Sequence, residues 1–209
     1  MKKLIGLMLT FATVLAACAP SYRANPYSSE AYAPRYNGST KTLLVIPLKG
    51  NIYQNYLDGG QGTLEEIINA GAYGDRFVLI DREALNVALR DFKLSSIGLL
   101  DESSSTQLGK QLGAQVALSG TVSGLNTESE QGGDGKYGYY TNYTTKAQAS
   151  LKLLNVETGV VMAASTGTGS VYSSKNKGNQ DDLKAVNAAV RNAANSLIRT
   201  YAARWDGKE

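Results

Sequence analysis

The sequence predicts one α/β domain, a mixed β-sheet with helices packed on it, in the order β-α-β-α-α-β-β-β-α. Three observations predict it. Between residues 42 and 113, short apolar runs alternate with segments whose apolar residues recur at helical spacing. Between 114 and 171 the pattern switches to period two on either side of a tight turn. From 181 onward one long stretch carries a single apolar stripe. Strands and helices that alternate and then give way to a hairpin are the signature of a sheet covered by helices. The segment 41–204 is long enough to bury its own core.

In chain order, "TLLVIPL" (42–48) reads as a strand and "NIYQNYLDGGQG" (51–62) as a loop. "TLEEIINAGA" (63–72) reads as a helix with Thr63 at the N-cap and Glu66 in the capping-box position. "RFVLID" (76–81) is a second strand. It leads into a helix over 81–92, with Asp81 as cap and Leu85, Ala88, Leu89 and Phe92 on one face. "SSSTQLGKQLG" (103–113) is a short helix closed by Gly113 in a left-handed conformation. "AQVALSGTVSG" (114–124) and "KAQASLKLLNV" (146–156) are strands, the second with Ala147, Ala149, Leu151 and Leu153 on one face. Glu157-Thr158-Gly159 forms a turn into the returning strand 160–171. The last helix, 181–203, has a stripe from Leu183 through Val190 to Tyr201. Asp181 and Asp182 suit its positive start, and Arg199 and Arg204 its end.

The first residues, MKKLIGLMLTFATVLAAC, hold a basic pair, Lys2 and Lys3, and an apolar run from Leu4 to Val14. That is the layout of a signal peptide over 1–17, too short to span a bilayer as a helix. A buried N-terminal helix is the alternative, but no second apolar face follows it. Leu15-Ala16-Ala17-Cys18 resembles the lipobox of bacterial lipoproteins. The resemblance implies a diacylglycerol on the Cys18 sulfur, cleavage before it and acylation of the new amine. Each buried CH₂ contributes about 0.8 kcal/mol, and several chains together hold a protein on a membrane. Ala19 rather than Asp favours the outer membrane by resemblance to the sorting rule. Residues 18–40 hold three of the four prolines and no apolar period, so they read as a tether; 205–209 are a tail.

Composition excludes much chemistry. The chain has no histidine, and its one cysteine is Cys18. With that thiol committed to lipid, no intrachain disulfide, cysteine nucleophile or thiolate metal site remains. A Ser-His-Asp arrangement is impossible. Asp81, Glu83 and Asp91 read as caps and solvated charges rather than catalytic acids, and "GGDGKYG" (132–138) matches no phosphate-binding loop. Removing residues 1–17 takes away Lys2 and Lys3 and no acid, leaving 19 basic side chains against 18 acidic ones. That balance makes no case for nucleic acid. Tyrosine is abundant, 13 against 3 Phe and 1 Trp, which suits either wet interfaces or loops. The residues point to a binding or assembly protein with no catalytic site, no metal and no cofactor beyond the covalent lipid.

Three stretches, "GDRFVLIDREALNVALRDFKL", "LGKQLGAQVALSGTVSG" and "LKLLNVETGVVMAAS", resemble in order and spacing the motifs of the curli-secretion lipoprotein family (CsgG-like) over residues 42–172. The resemblance implies a periplasmic α/β domain that assembles into rings, with two hairpins per subunit joining in an outer-membrane barrel. It also implies a channel-narrowing loop, here residues 49–62. Tyr53, Asn55 and Tyr56 in that loop resemble the family's Tyr, Asn and Phe at the constriction.

The chain departs from the pore pattern. A membrane hairpin needs strands of about 9–11 residues with apolar residues facing out. In 126–146 the first half is polar, and only Tyr137, Tyr139, Tyr140 and Tyr143 could face lipid. The second candidate, 170–180, is short and carries Lys175 and Lys177, each costing about 2–4 kcal/mol at the bilayer midplane. Relatives of that fold without hairpins include the lipoprotein activators of penicillin-binding proteins (LpoB-like) and a ring used in exopolysaccharide export.

Two functions therefore stand. The first is an outer-membrane-anchored, homo-oligomeric component of a curli-like assembly and transport system, with a secreted protein as partner. The second is a periplasmic activator or adaptor of a cell-wall synthase, without a pore. A plain structural envelope lipoprotein is a third.

Overall fold

The computed structural model describes residues 39–70, 76–91, 102–134, 136, 138–174 and 179–205. Cys18, the signal-like segment, nearly all of the tether, Phe92, Tyr137, Lys175 and Lys177 lie outside the described residues.

Ten elements follow one another: β1 (Lys41–Val45), β2 (Lys49–Gly50), α1 (Gln54–Asn69), β3 (Phe77–Leu79), α2 (Arg82–Asp91), α3 (Glu102–Gln111), β4 (Val116–Gly133), β5 (Tyr139–Asn155), β6 (Val161–Ser173) and α4 (Asn179–Trp205). The sheet order is β3-β1-β4-β5-β6, with β2 beside β4. β1 pairs in parallel with β3 and β4, while β4, β5 and β6 are antiparallel, so the sheet is mixed as expected.

The departure from the expected order is β2. One apolar run was expected at 42–48. Proline cannot donate to a ladder, and after Pro47 the chain resumes pairing with β4 two residues later as a separate short strand. Ile46 still donates its N–H to the Leu118 carbonyl at 2.9 Å, so the break begins at the proline.

Helices cover both faces of the sheet. On one side α1 and α4 pack over Leu43, Val45, Val116, Leu118, Ala149 and Leu151. On the other, α2 and α3 bring Leu85, Ala88, Leu89 and Leu108 against Leu44, Ile46, Ala117 and Leu154. Of the α4 stripe predicted from Leu183 to Tyr201, Val186, Val190, Ala194, Leu197 and Tyr201 are buried, and Leu183 at its start is half-buried against the same core. The helix seats closely on β6. A Cβ at Gly167 would collide with the backbone of Ala189 and Ala193, and one at Gly169 with the backbone of Ala185 and Ala189. Gly113 closes α3 with φ +69°, the left-handed cap expected of it.

α1 corrects the sequence reading. Residues 51–62 were expected to form a loop, with a helix from Thr63; instead the helix begins at Gln54, and Thr63 is buried mid-helix. Gly59, Gly60 and Gly62 look like helix breakers, each costing about 1 kcal/mol relative to alanine. Two of them are what lets α1 approach its neighbours. A Cβ at Gly59 would collide with Leu183, and one at Gly60 would press on Leu48, Val186 and Val190 at 3.2–3.3 Å. Burial against α4 outweighs the propensity penalty.

Candidate functional site

The start of α1 places the first group of predicted residues. Tyr53 occupies the N-cap with extended backbone and 76% exposure. Its carbonyl accepts the Tyr56 N–H at 3.0 Å, which fixes the first turn. Its ring meets that of Tyr56 edge-on, centroids 5.8 Å apart. Asn55 is exposed on the same turn. Tyr56 points inward and is only 4% exposed. It donates its hydroxyl to Asp182 Oδ2 of α4 at 3.4 Å. Burial first, and the Asp182 charge second, push this hydroxyl above its ordinary pKa of 10.0. The three residues thus separate: Tyr53 and Asn55 face solvent, and Tyr56 ties two helices together. No local sequence signal links Tyr56 to Asp182, because they are 126 positions apart.

Gln61 supports the same corner. It is 3% exposed, its Oε1 accepts the Leu48 N–H at 3.2 Å, and its Nε2 donates to Glu65 Oε1 at 2.9 Å. The backbone just after Pro47 is held through this side chain. A buried amide whose partners sit in place is a rigid tie.

The second feature is the β4–β5 arm with the open sheet face that leads into it. Beyond the register shift between Ser123 and Asn126, the two strands stay paired from Asn126↔Lys146 to Gly133↔Tyr139. β6 follows β5 as far as Tyr143↔Ser173. Side chains alternate between faces. The odd positions of β5, from Leu153 to Thr145, are buried under α4. On the opposite face the α2–α3 layer ends near Ala117 and Leu154. Past it, Thr121, Ser150 and Thr166 lie in one cross-strand row, and Ser123, Gln148 and Thr168 in the next. Lys146 reaches Glu128 Oε2 across the pair at 2.7 Å, a half-exposed ion pair of modest strength.

Neither face of the arm is apolar. One carries Glu128, Glu130, Asn142 and Lys146; on the other, Thr127 and Thr145 share a hydrogen bond at 3.0 Å beside Ser129 and Gln131. Among the described residues no helix is long and apolar enough to cross a membrane.

The family model described as "Curli production assembly/transport component CsgG" matches residues 54–205, from the first residue of α1 to the last of α4. The chain belongs to the CsgG family.

Solved structures similar to this CsgG-family chain include three from bacteria. The LpoB C-terminal domain from Salmonella enterica is 24% identical, with 65% of this chain and 87% of that chain covered and a TM-score of 0.39. A lipoprotein from Neisseria meningitidis is 16% identical, with 73% and 96% covered and a TM-score of 0.46. The PelC dodecamer from Paraburkholderia phytofirmans is 16% identical, with 84% and 96% covered and a TM-score of 0.38. A search of curated proteins gave no match.

Proposed function

We propose that this chain is a lipid-anchored periplasmic protein of the outer membrane that assembles with copies of itself as a component of a curli-like export system. The observation that carries the reading is the family match over residues 54–205, which takes in all four helices and the strands β3 to β6. The lone Cys18 behind an apolar run supports the anchor: the lipid would sit on its sulfur, residues 1–17 would be removed, and 18–40 would link lipid to domain. The chain acts by binding, since it has no histidine and no thiol beyond Cys18. In an assembled ring, Tyr53 and Asn55 are the residues offered to the lumen, because they are exposed where Tyr56 is buried.

Electron microscopy of the lipidated full chain in detergent tests this reading. Closed rings are expected, since a head-to-tail contact that closes gives cyclic symmetry. A strictly monomeric particle at all concentrations overturns it.

The polar faces of the β4–β5 arm favour a second reading. A lipid-facing strand needs outward apolar residues; a lysine there costs about 2–4 kcal/mol at the midplane, and a carboxylate also costs, though less. Glu128, Glu130 and Lys146 suit an aqueous arm. The second reading is therefore a periplasmic adaptor of a cell-wall synthase, without a pore. Affinity capture from the envelope that recovers such a synthase with a monomeric chain supports it over the first.

A further inference from the structure

We infer that the open face of β4, β5 and β6, continued onto the β4–β5 arm, is a binding surface for an uncharged, extended, β-linked polysaccharide strand. The inference stands on this face and does not depend on how the chain assembles.

Exposed rings are the first observation. Tyr140 is 55% exposed and Tyr172 64% exposed, and both sit on the even-numbered face of their strands, with Gln148 and Thr168. Tyr140 stands opposite Gly132, and its ring leans over that glycine: a Cβ there would meet the ring carbons at 2.6–2.7 Å. One face of the ring thus packs on the glycine backbone and the other stays open, and a ring seated in this way loses less freedom on binding. Tyr172 stands opposite Thr144. Four residues along the strand and one strand across separate it from Tyr140, roughly 14 Å from strand geometry. An oligosaccharide can lie across both rings. A pyranose ring presents a face of C–H bonds that packs on an aromatic ring, and an edge of hydroxyls that needs donors and acceptors.

The second observation is what lies around the rings. Glu130 and Asn142 form the row between Tyr140 and Tyr172, Glu128 and Thr144 share the row of Tyr172, and Gln148 and the Ser/Thr rows continue toward the body. Carboxylates and amides can both engage a sugar hydroxyl, and an amide also matches an acetamido group.

The third is charge. The carboxylates Glu128 and Glu130 are matched on this face by Lys146 and Lys152. A nucleic acid or acidic polymer asks for excess positive charge. A lipid surface asks for apolar side chains. A protein partner asks for an apolar, charge-poor patch core, whereas apart from the two rings this face carries Ser, Thr, Asn, Gln, Glu and Lys. A neutral polyhydroxyl chain fits what remains.

The test is calorimetric titration of the full chain in detergent with chitohexaose, a soluble, linear, uncharged β-linked oligosaccharide. Saturable binding is expected. Tyr140→Ala and Tyr172→Ala should each weaken it about tenfold, the scale of truncating one anchor contact. Tyr140→Phe should keep it, and Tyr139→Ala should leave it unchanged, since Tyr139 is 81% exposed on the opposite face of the same arm. Gln148→Ala, exposed and outside the arm, gives a second route should an arm variant fold poorly. No saturable binding by the unaltered chain overturns the inference. An equal loss with Tyr139→Ala does so too. If the face variants change the particle's sedimentation but not the titration, the surface is a contact between copies and the inference fails.

Discussion

Tyr56 carries two duties that pull on its ionisation in one direction. Its ring fills the space between α1 and α4, and its hydroxyl meets a carboxylate. Both favour the neutral phenol, so the folded-state pKa lies above the 10.0 of the exposed side chain. The stability that follows is fully present below about pH 10 and is lost as pH rises through the folded-state value. Tyr56→Phe removes this titration. Thermal melts at rising alkaline pH should show the wild type losing its advantage over the variant above about pH 10. At neutral pH the variant should be less stable by about 1 kcal/mol, the worth of one hydrogen bond. A difference between the two proteins that stays constant across the alkaline range would contradict this account. Gln61 works on the same scale, yet it was hidden: a glutamine between glycines reads as loop, so its i,i+4 bond to Glu65 goes unseen, and its other partner, the Leu48 N–H, is set by the fold.

Among elements, α1 and α4 show where sequence patterns were readable and where they were not. The α4 stripe and the Ala147–Leu153 alternation are periodic in the sequence and buried in the structure, because every apolar side chain there has one place to go. The start of α1 was hidden. Its glycines carry no apolar signal, and their value lies in partners on another helix. The outer half of β4 was hidden for a related reason: "NTESEQGG" has few strand formers and is held by pairing with β5. Tyr53, Asn55 and Tyr56 read alike in the sequence, and only the helical turn separates the exposed pair from the buried ring. The glycines themselves should divide under mutation. Gly62 has open space around it, so Gly62→Ala should stabilise by about 1 kcal/mol through helix propensity. Gly169→Val, forced against the α4 backbone, should destabilise by about 3 kcal/mol. Urea melts of the two variants check the opposite signs. Hydrogen exchange should divide β5 as well. Amides from Ala147 to Leu154, under helices, should exchange only on global unfolding, and those from Tyr139 to Thr144 through local opening. Equal protection along the whole strand would show the arm to be as firmly held as the body.

At the scale of the whole molecule, two features matter: the anchor proposed at Cys18 and the arm. The anchor reading predicts that Cys18→Ala leaves a precursor of unchanged length without lipid, which mass spectrometry of the membrane fraction checks; normal processing of that variant removes the anchor. The body itself is asymmetric. Chain enters the sheet at Lys41, and β1 runs parallel to β4, so that Leu43 lies level with Val116 while the arm tip lies at Gly133 and Tyr139. The point of attachment and the tip therefore sit at opposite ends of a strand about 60 Å long, from 18 residues at strand rise. If the tip is gripped while the lipid end stays fixed, tension runs along the strands. The cross-strand bonds of β1, β4 and β5 are then loaded sideways and together, instead of being peeled one after another. A protein pulled in that direction resists extension with its whole ladder at once, a mechanical toughness suited to the anchored role proposed for it.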